Sequence, residues 1–442
     1  MSYIWRFAVA ATLVVALALP AQARGLIRDP DIEHALAELA RPVLNAAGLS
    51  PTQVRILVID DPGLNAFIVD NRHIFIHSGM LMKLDSPAQV QAVIAHEAAH
   101  IQNGHIASRL QSAQAANTIS GLGIALAMAA AASGAGGQAA SGLALGVAGS
   151  ANRVFMSHTR AEESSADASG LRYMVRAGID PKAFIEVLDI FRGQELLSES
   201  RQDPYARTHP LSRDRLRAVT AQAGAAQVAS PPPQDAAYWF ARATGKLSAF
   251  SRAPAWTLRR LNESPTEDIR LMRTAIAHHR QPDTRRAMAA IDKLAAMRPT
   301  DPFVHELRGQ ILLESRQAGA AVAAYKRATD LAPGNALIMG GYGRALLAAD
   351  NPRAARDALE RARARDFRDP RVLRDLAVAY AKTGDPGLAS VVTAERYALA
   401  GRFDDALVHA RRAEGLVPRG SRAGLRAQDV ISAAEAALRQ RR

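Results

Sequence analysis

The sequence predicts an α+β chain in two parts: a mainly helical amino-terminal domain with a small sheet, then an all-α solenoid. Three observations predict it. Strand-like and helix-like stretches alternate from about residue 27 to 222. The prolines of Ser230-Pro231-Pro232-Pro233-Gln234-Asp235 then stop both helix and sheet. Beyond them lies Ala-, Arg- and Leu-rich sequence of helical periodicity, repeating every 34 residues.

The first residues read as a secretory signal peptide, 1–23. Arg6 supplies the positive start, 7–19 the apolar stretch, Pro20 the break and Ala21-Gln22-Ala23 the small-x-small cleavage site. The run is short for a bilayer span, which takes about 20 residues. With no cysteine the chain has neither a lipidation site nor a disulfide framework. The expected division of the rest is 24–229, a proline-rich linker at 230–235, and 236–442. The net charge of +13 comes mainly from arginine. With no nucleic-acid motif beside it, it reads as solvated helix faces, and no nucleic-acid partner is expected.

Residues 32–47 have the pattern of an amphipathic helix. Val54 to Asp60 and Ala66 to Ile76 read as strands, with Asp61-Pro62-Gly63 turning between them. A helix should start at Pro87, with Ser86 as N-cap and Gln89 completing a capping box. Residues 110–152 carry no Asp, Glu, Lys or Arg and are broken by glycines. They fit either a pair of helices packed through small residues or a hairpin that touches membrane.

In the second half Pro299 and Pro333, Gly309 and Gly343, Ala321 and Ala355, and Ala328 and Ala362 each stand 34 residues apart. A later unit repeats Ala406, Ala413 and Pro418, while a helix near 370–383 is expected to interrupt the phase. Small residues at fixed sites let paired helices approach closely. The pattern resembles the tetratricopeptide repeat.

The chemistry sits in His96-Glu97-Ala98-Ala99-His100. On a helix, positions i and i+4 share a face, so two imidazoles can point at one metal while Glu97 reaches a water beside it. Zinc needs a third protein ligand and an open position. The metzincin pattern is excluded, because Asn103 and Ile106 stand where it needs Gly and His. Glu163-Ser164-Ser165-Ala166-Asp167 offers the missing ligand on a second helix. Glu163 can bind metal while Asp167 orients a ligand histidine. Alone this string also fits a solvated helix face, and Glu162, about 100° away from Asp167's face, is the competing carboxylate.

These motifs together resemble the metallopeptidases that include HtpX and the CAAX prenyl proteases. Asn65-Ala66-Phe67 before a strand and Thr208-His209-Pro210-Leu211 after the second helix match that family too. A leader in front and repeats behind resemble its soluble branch, the BepA-like periplasmic proteases. The resemblance implies a zincin-like domain with one Zn2+ per chain. His96, His100 and Glu163 would be the ligands and Glu97 the general base, with Asp167 and Arg215 behind them. Asn65, Ala66 and Phe67 would line the substrate, whose backbone could add to the 66–76 strand edge. His209 would latch the zinc or support the oxyanion; alternatively Thr208-His209-Pro210 only caps the next helix. His105 and His158 read either as groups behind the ligands or as ordinary polar residues, and His73 and His77 as structural.

The resemblance further implies a periplasmic endopeptidase acting on unfolded or misassembled outer-membrane proteins. Its repeats would dock onto the outer-membrane assembly machinery, with peripheral membrane contact as a further expectation. A chaperone or adaptor whose protease is mostly latent is the second reading. A membrane-embedded prenyl protease is disfavoured, since no charged-flanked span occurs outside the leader.

Overall fold

The computed structural model describes residues 25–107, 160–198, 201–229 and 231–440. The expected leader 1–23, the uncharged stretch 110–152, His158 and Ser230 lie outside the described residues. Helix α1 (Pro30–Ala46) starts where the Asp29 carboxylate accepts the N–H groups of Asp31 and Ile32, each at 2.9 Å. Its stripe of Ile32, Leu36, Leu39, Val43 and Leu44 is buried.

Among the described residues the sheet has four strands, β1 (Leu26–Ile27), β2 (Arg55–Ile59), β3 (Ala66–Ile68) and β4 (His73–His77), in the order β1-β2-β4-β3. β2 and β4 run parallel; the outer pairings are antiparallel. Two strand expectations change. The 66–76 stretch is two strands, because Asp70 accepts the Arg72 N–H at 2.8 Å and turns the chain into a hairpin. Asp61-Pro62-Gly63 does not join neighbours either, since β4 lies between β2 and β3. That leaves β3 at the edge of the sheet among the described residues. The turn instead packs on α2 (Ser78–Lys83), where a Cβ on Gly79 would stand 2.0 Å from the Pro62 carbonyl oxygen.

Helix α3 (Pro87–Gln102) has the expected Ser86 cap, which accepts the Gln89 N–H at 3.2 Å. The Gln89 side chain closes onto the Asp85 N–H at 2.7 Å, one residue earlier than a capping box places it. The helix is enclosed on all sides, with every residue from Val90 to His100 buried. It crosses α4 (Arg160–Arg176) at Gly170, where an added Cβ would lie 3.3 Å from the Ala95 backbone. Helices α5 (Lys182–Ile190), α6 (Pro204–Thr208) and α7 (Arg213–Ala225) close the domain.

Helix α8 (Ala236–Ser251) follows the prolines yet joins the amino-terminal core through Trp239, Phe240, Ala243 and Leu247. After α9 (Pro254–Arg259) the solenoid runs through α10 (Glu267–Arg280), α11 (Thr284–Met297), α12 (Pro302–Glu314), α13 (Ala318–Leu331), α14 (Ala336–Ala348) and α15 (Pro352–Arg365). It continues with α16 (Pro370–Lys382), α17 (Pro386–Leu399), α18 (Phe403–Glu414) and α19 (Arg422–Gln440). The helix at 370–382 keeps the phase rather than interrupting it, starting 34 residues after α14, as α17 starts 34 after α15. The irregularity lies in α18: by spacing it is a first helix, but Ala406 and Ala413 take the places that Ala321 and Ala328 hold in a second helix. The fold is thus mostly helical with one small sheet, followed by helical repeats. No described helix is long and apolar enough to cross a membrane.

Candidate metal centre

Three segments meet above β3. Helix α3 supplies His96, Glu97 and His100, α4 supplies Glu163 and Asp167, and the segment after α6 supplies His209 from its turn and Arg215 from the first turn of α7. All seven are at most 3 % exposed. Charged groups are this deeply buried only when paired or bound to metal.

The donor atoms converge. His96 Nε2 lies 3.1 Å from His100 Nε2 and 3.3 Å from His209 Nδ1. Glu163 Oε1 is 3.0 Å from His209 Nδ1 and 3.3 Å from His100 Nε2. Nitrogen ligands about 2.05 Å from a tetrahedral zinc stand about 3.3 Å from one another, so the spacing suits that ion. The proton inventory agrees. His96 Nδ1 faces Asp167 Oδ1 at 3.1 Å, and His209 Nε2 donates to the Ala66 carbonyl at 3.2 Å. In those tautomers His96 Nε2 and His209 Nδ1 both turn lone pairs toward Glu163, and a dication satisfies them together. Without a metal, burial opposes charge on His96, yet Glu163 and Asp167 outweigh it and raise its imidazole to about 10, so zinc would displace the Nε2 proton on binding. His100 is pushed well below the usual histidine range, mainly by burial. Against burial, His209 and His96 keep Glu163 well below the usual carboxylate range. The residues fit zinc.

Arg215 ties the second layer together. Its Nε and Nη2 donate to the two Asp167 oxygens at 2.7 and 2.8 Å. Nη1 reaches Glu163 Oε2 and the Pro210 carbonyl, both at 2.8 Å. The planar fork thus holds two carboxylates and the His209 turn at once. Glu97 is fully buried with Oε1 3.5 Å from His209 Nε2. Glu162 does not join the donor group.

The β3 residues divide. Ala66 touches the site through its carbonyl, and Asn65 Oδ1 accepts from Thr208 Oγ1 at 3.4 Å. Phe67 alternates to the other face of the sheet, stacked on Phe75 at 5.4 Å, so its side chain is not brought in. Asp61 stands 3.5 Å from His77 Nδ1, and Asp70 2.8 Å from His73 Nδ1, so neither histidine enters the site.

His105 Nδ1 lies 2.8 Å from His100 Nδ1, directly behind a donor histidine. Tyr205 escaped the sequence reading. Its buried ring lies 4.5 Å from that of His209, and burial, reinforced by Glu97 and Glu163, pushes its hydroxyl well above the usual range. The available signal was its position four residues before His209, one helical turn away.

Residues 27–223 match the model of Peptidase family M48, and residues 312–378 match a tetratricopeptide repeat model. The Beta-barrel assembly-enhancing protease of Escherichia coli K12 is 26 % identical over 405 residues, covering 90 % of this chain and 81 % of its own. The Mitochondrial metalloendopeptidase OMA1 of Schizosaccharomyces pombe is 28 % identical over 202 residues, 44 % of this chain and 53 % of its own. Among solved structures, MamA from Desulfovibrio magneticus RS-1 aligns over 36 % of this chain and 92 % of its own, at 20 % identity and a TM-score of 0.32.

Proposed function

This chain carries a peptidase family M48 domain joined to tetratricopeptide repeats and is a zinc metalloendopeptidase; from that premise we propose a periplasmic enzyme of outer-membrane protein quality control. Its substrates are misfolded or stalled outer-membrane proteins, and it also acts on them as a chaperone. The repeats dock it on the assembly machinery. The reading draws on the E. coli relative, whose name describes β-barrel assembly and whose match spans both halves of this chain. The peptidase domain is taken as 24–229, following a signal peptide at 1–23, with the repeat-bearing helical domain at 236–442 beyond the linker 230–235, its first helix packed on the peptidase core.

His96, His100 and Glu163 hold the zinc, which when bound acidifies a water and polarises the scissile carbonyl. Glu97 accepts the proton of the attacking water on a carboxylate oxygen and passes it to the leaving amine. Asp167 holds the His96 proton on Nδ1, and Arg215 holds Asp167. The edge of β3 receives the substrate backbone as an added strand, which makes cleavage tolerant of sequence.

His209 is the latch. The observation that carries this is its Nδ1, 3.0 Å from Glu163 and 3.3 Å from His96, as a fourth donor where catalysis needs an open position. In this posture its Nε2 also occupies the carbonyl of Ala66 on the substrate-accepting edge. Swinging His209 out would open the fourth ligand position and release the Ala66 carbonyl on the strand edge together.

The test is zinc content and casein cleavage by the wild type, Glu97→Gln and His209→Ala. Equal zinc in all three, cleavage lost in Glu97→Gln and raised in His209→Ala, is the expected result. Cleavage lowered in His209→Ala would refute the latch and favour oxyanion support. Wild-type protein that binds unfolded outer-membrane proteins without zinc or cleavage would leave the second reading, an adaptor.

A further inference from the structure

A second buried charge cluster, sharing no residue with the metal centre, lies where the amino-terminal helix meets the repeats. Asp29 and Asp31 come from the start of α1, Arg242 and Lys246 from α8, Asp301 and Glu306 from α12 and its cap. Arg242 pairs with Asp31 at 2.5 Å and Asp301 at 2.7 Å. Lys246 Nζ stands 2.9 Å from Asp29, 3.6 Å from Asp31 and 3.8 Å from Glu306. Four carboxylates thus face two cations. Glu306 is left worst served: it is only 7 % exposed, and its Oε2 accepts no hydrogen bond, Lys246 pairing with it at 3.8 Å, too long for one.

Glu306 lines a cavity of about 690 Å³. One wall is the segment at Arg28; the other is the inner face of α12, α14 and α16. Its arginines are already committed. Arg28 pairs with Glu33 and Asp366, Arg344 with Asp375, and Arg371 with Asp369. The uncompensated charge in this cleft is therefore negative and centred on Glu306. Burial, reinforced by Asp29 and Asp31 against the pull of Lys246 and Arg371, pushes its carboxyl up to about 7, so a cation seated beside it would draw it fully into the charged form.

We propose that this cleft binds a polypeptide segment by seating one of its arginine or lysine side chains against Glu306. A basic group there supplies the missing cation in a low-dielectric site, where a charge-assisted hydrogen bond is strong. A metal is the wrong occupant: among the described residues only the His96 group has donors converging for one. The volume falls within the range of ligand pockets, about 300–1,000 Å³, and is far larger than a single ion needs. The choice of a polypeptide rests on the docking role proposed above; the charge argument does not.

The probe is a fluorescein-labelled, C-terminally amidated Gly-Ser-Arg-Ser-Arg-Gly peptide, beside its double-citrulline counterpart, which keeps shape and loses charge. Anisotropy titration of the full chain should show at least tenfold tighter binding of the arginine peptide. Glu306→Gln, nearly isosteric, should abolish that preference while casein cleavage and circular dichroism stay unchanged. Equal affinity for the two peptides, or a preference that survives in Glu306→Gln, overturns the proposal. A preference lost in Glu306→Gln, in a chain that retains no assembly-machinery component, would support the site and remove the docking role instead.

Discussion

Replacing Arg215 with leucine tests the framework that holds the metal centre. The side chain is 2 % exposed and makes four charged or polar contacts within 2.8 Å: two to Asp167, one to Glu163 and one to the Pro210 carbonyl. Leucine fills part of the volume but leaves Asp167 with His96 as its one remaining charged partner named in the site. Breaking a buried ion pair from one side costs about 3–5 kcal/mol. Domains are typically stable by about 5–15 kcal/mol, so the loss should be a large fraction of the total. Zinc compensates Glu163 when bound, so the metal-free protein should suffer most. Asp167, no longer clamped, should orient His96 less well and lower zinc affinity about 10–100-fold. Urea unfolding with and without chelator measures the first effect, and competition with a chromophoric chelator the second. Arg215→Lys keeps the charge without the fork and should recover only part of each. A loss below about 1 kcal/mol in the metal-free leucine variant, with zinc affinity intact, would refute the reasoning.

Removing zinc should lower the unfolding midpoint of the peptidase core and leave the repeats unmoved. Metal at 1,000 times its Kd contributes about 4 kcal/mol, and amide hydrogen exchange in α3 and α4 against α12 to α16 separates the two parts. Glu306, faced by Asp29, Asp31, Lys246 and Arg371, has its carboxyl raised from 4.5 to about 7. A raised carboxyl makes the folded state bind the extra proton, so its stabilisation is full below about 4.5 and lost as pH rises through 7. Glu306→Gln should therefore exceed the wild type by up to about 3 kcal/mol at pH 8, with the gain gone at pH 4.5; urea melts at the two pH values check it. Gly79→Ala sets a Cβ 2.0 Å from the Pro62 carbonyl oxygen, a backbone atom in a turn, and should cost at least about 3 kcal/mol. Gly341→Ala meets the Tyr325 ring at 2.4 Å, a side chain better able to shift, and should cost less in the same thermal melts.

Local geometry made much of this protein readable from residues alone. His96 and His100 share a face because helices turn every 3.6 residues, whatever surrounds them. Ser86 starts α3 because its hydroxyl meets an N–H three residues on. The 34-residue period survives because α11, α13 and α15 bury Ala287, Ala321 and Ala355 at the same place. Where the reading slipped, the deciding contact was distant or the local signal divided. The 66–76 run is apolar on both sides of Asp70, and apolarity does not say that the chain folds back there. Before α16, Phe367 stands where Pro299 and Pro333 mark the earlier units, and in α17 Arg396 stands where Ala328 and Ala362 do, which hides the phase.

The sequence by itself therefore determined the elements, the repeat and the metal-binding residue types, since each depends on neighbours within a turn or two. Only the tertiary structure decided that α8, beyond the prolines, completes the amino-terminal core. It decided between the two readings of His105, set the Tyr205 ring against His209 and turned Phe67 away from the donors. It also assembled Asp29, Lys246 and Glu306, which no spacing relates. Burial sets these relations, and burial belongs to the packed chain: a carboxylate that would be unremarkable in water becomes, beside Lys246 in the cleft, the place where a charge is missing.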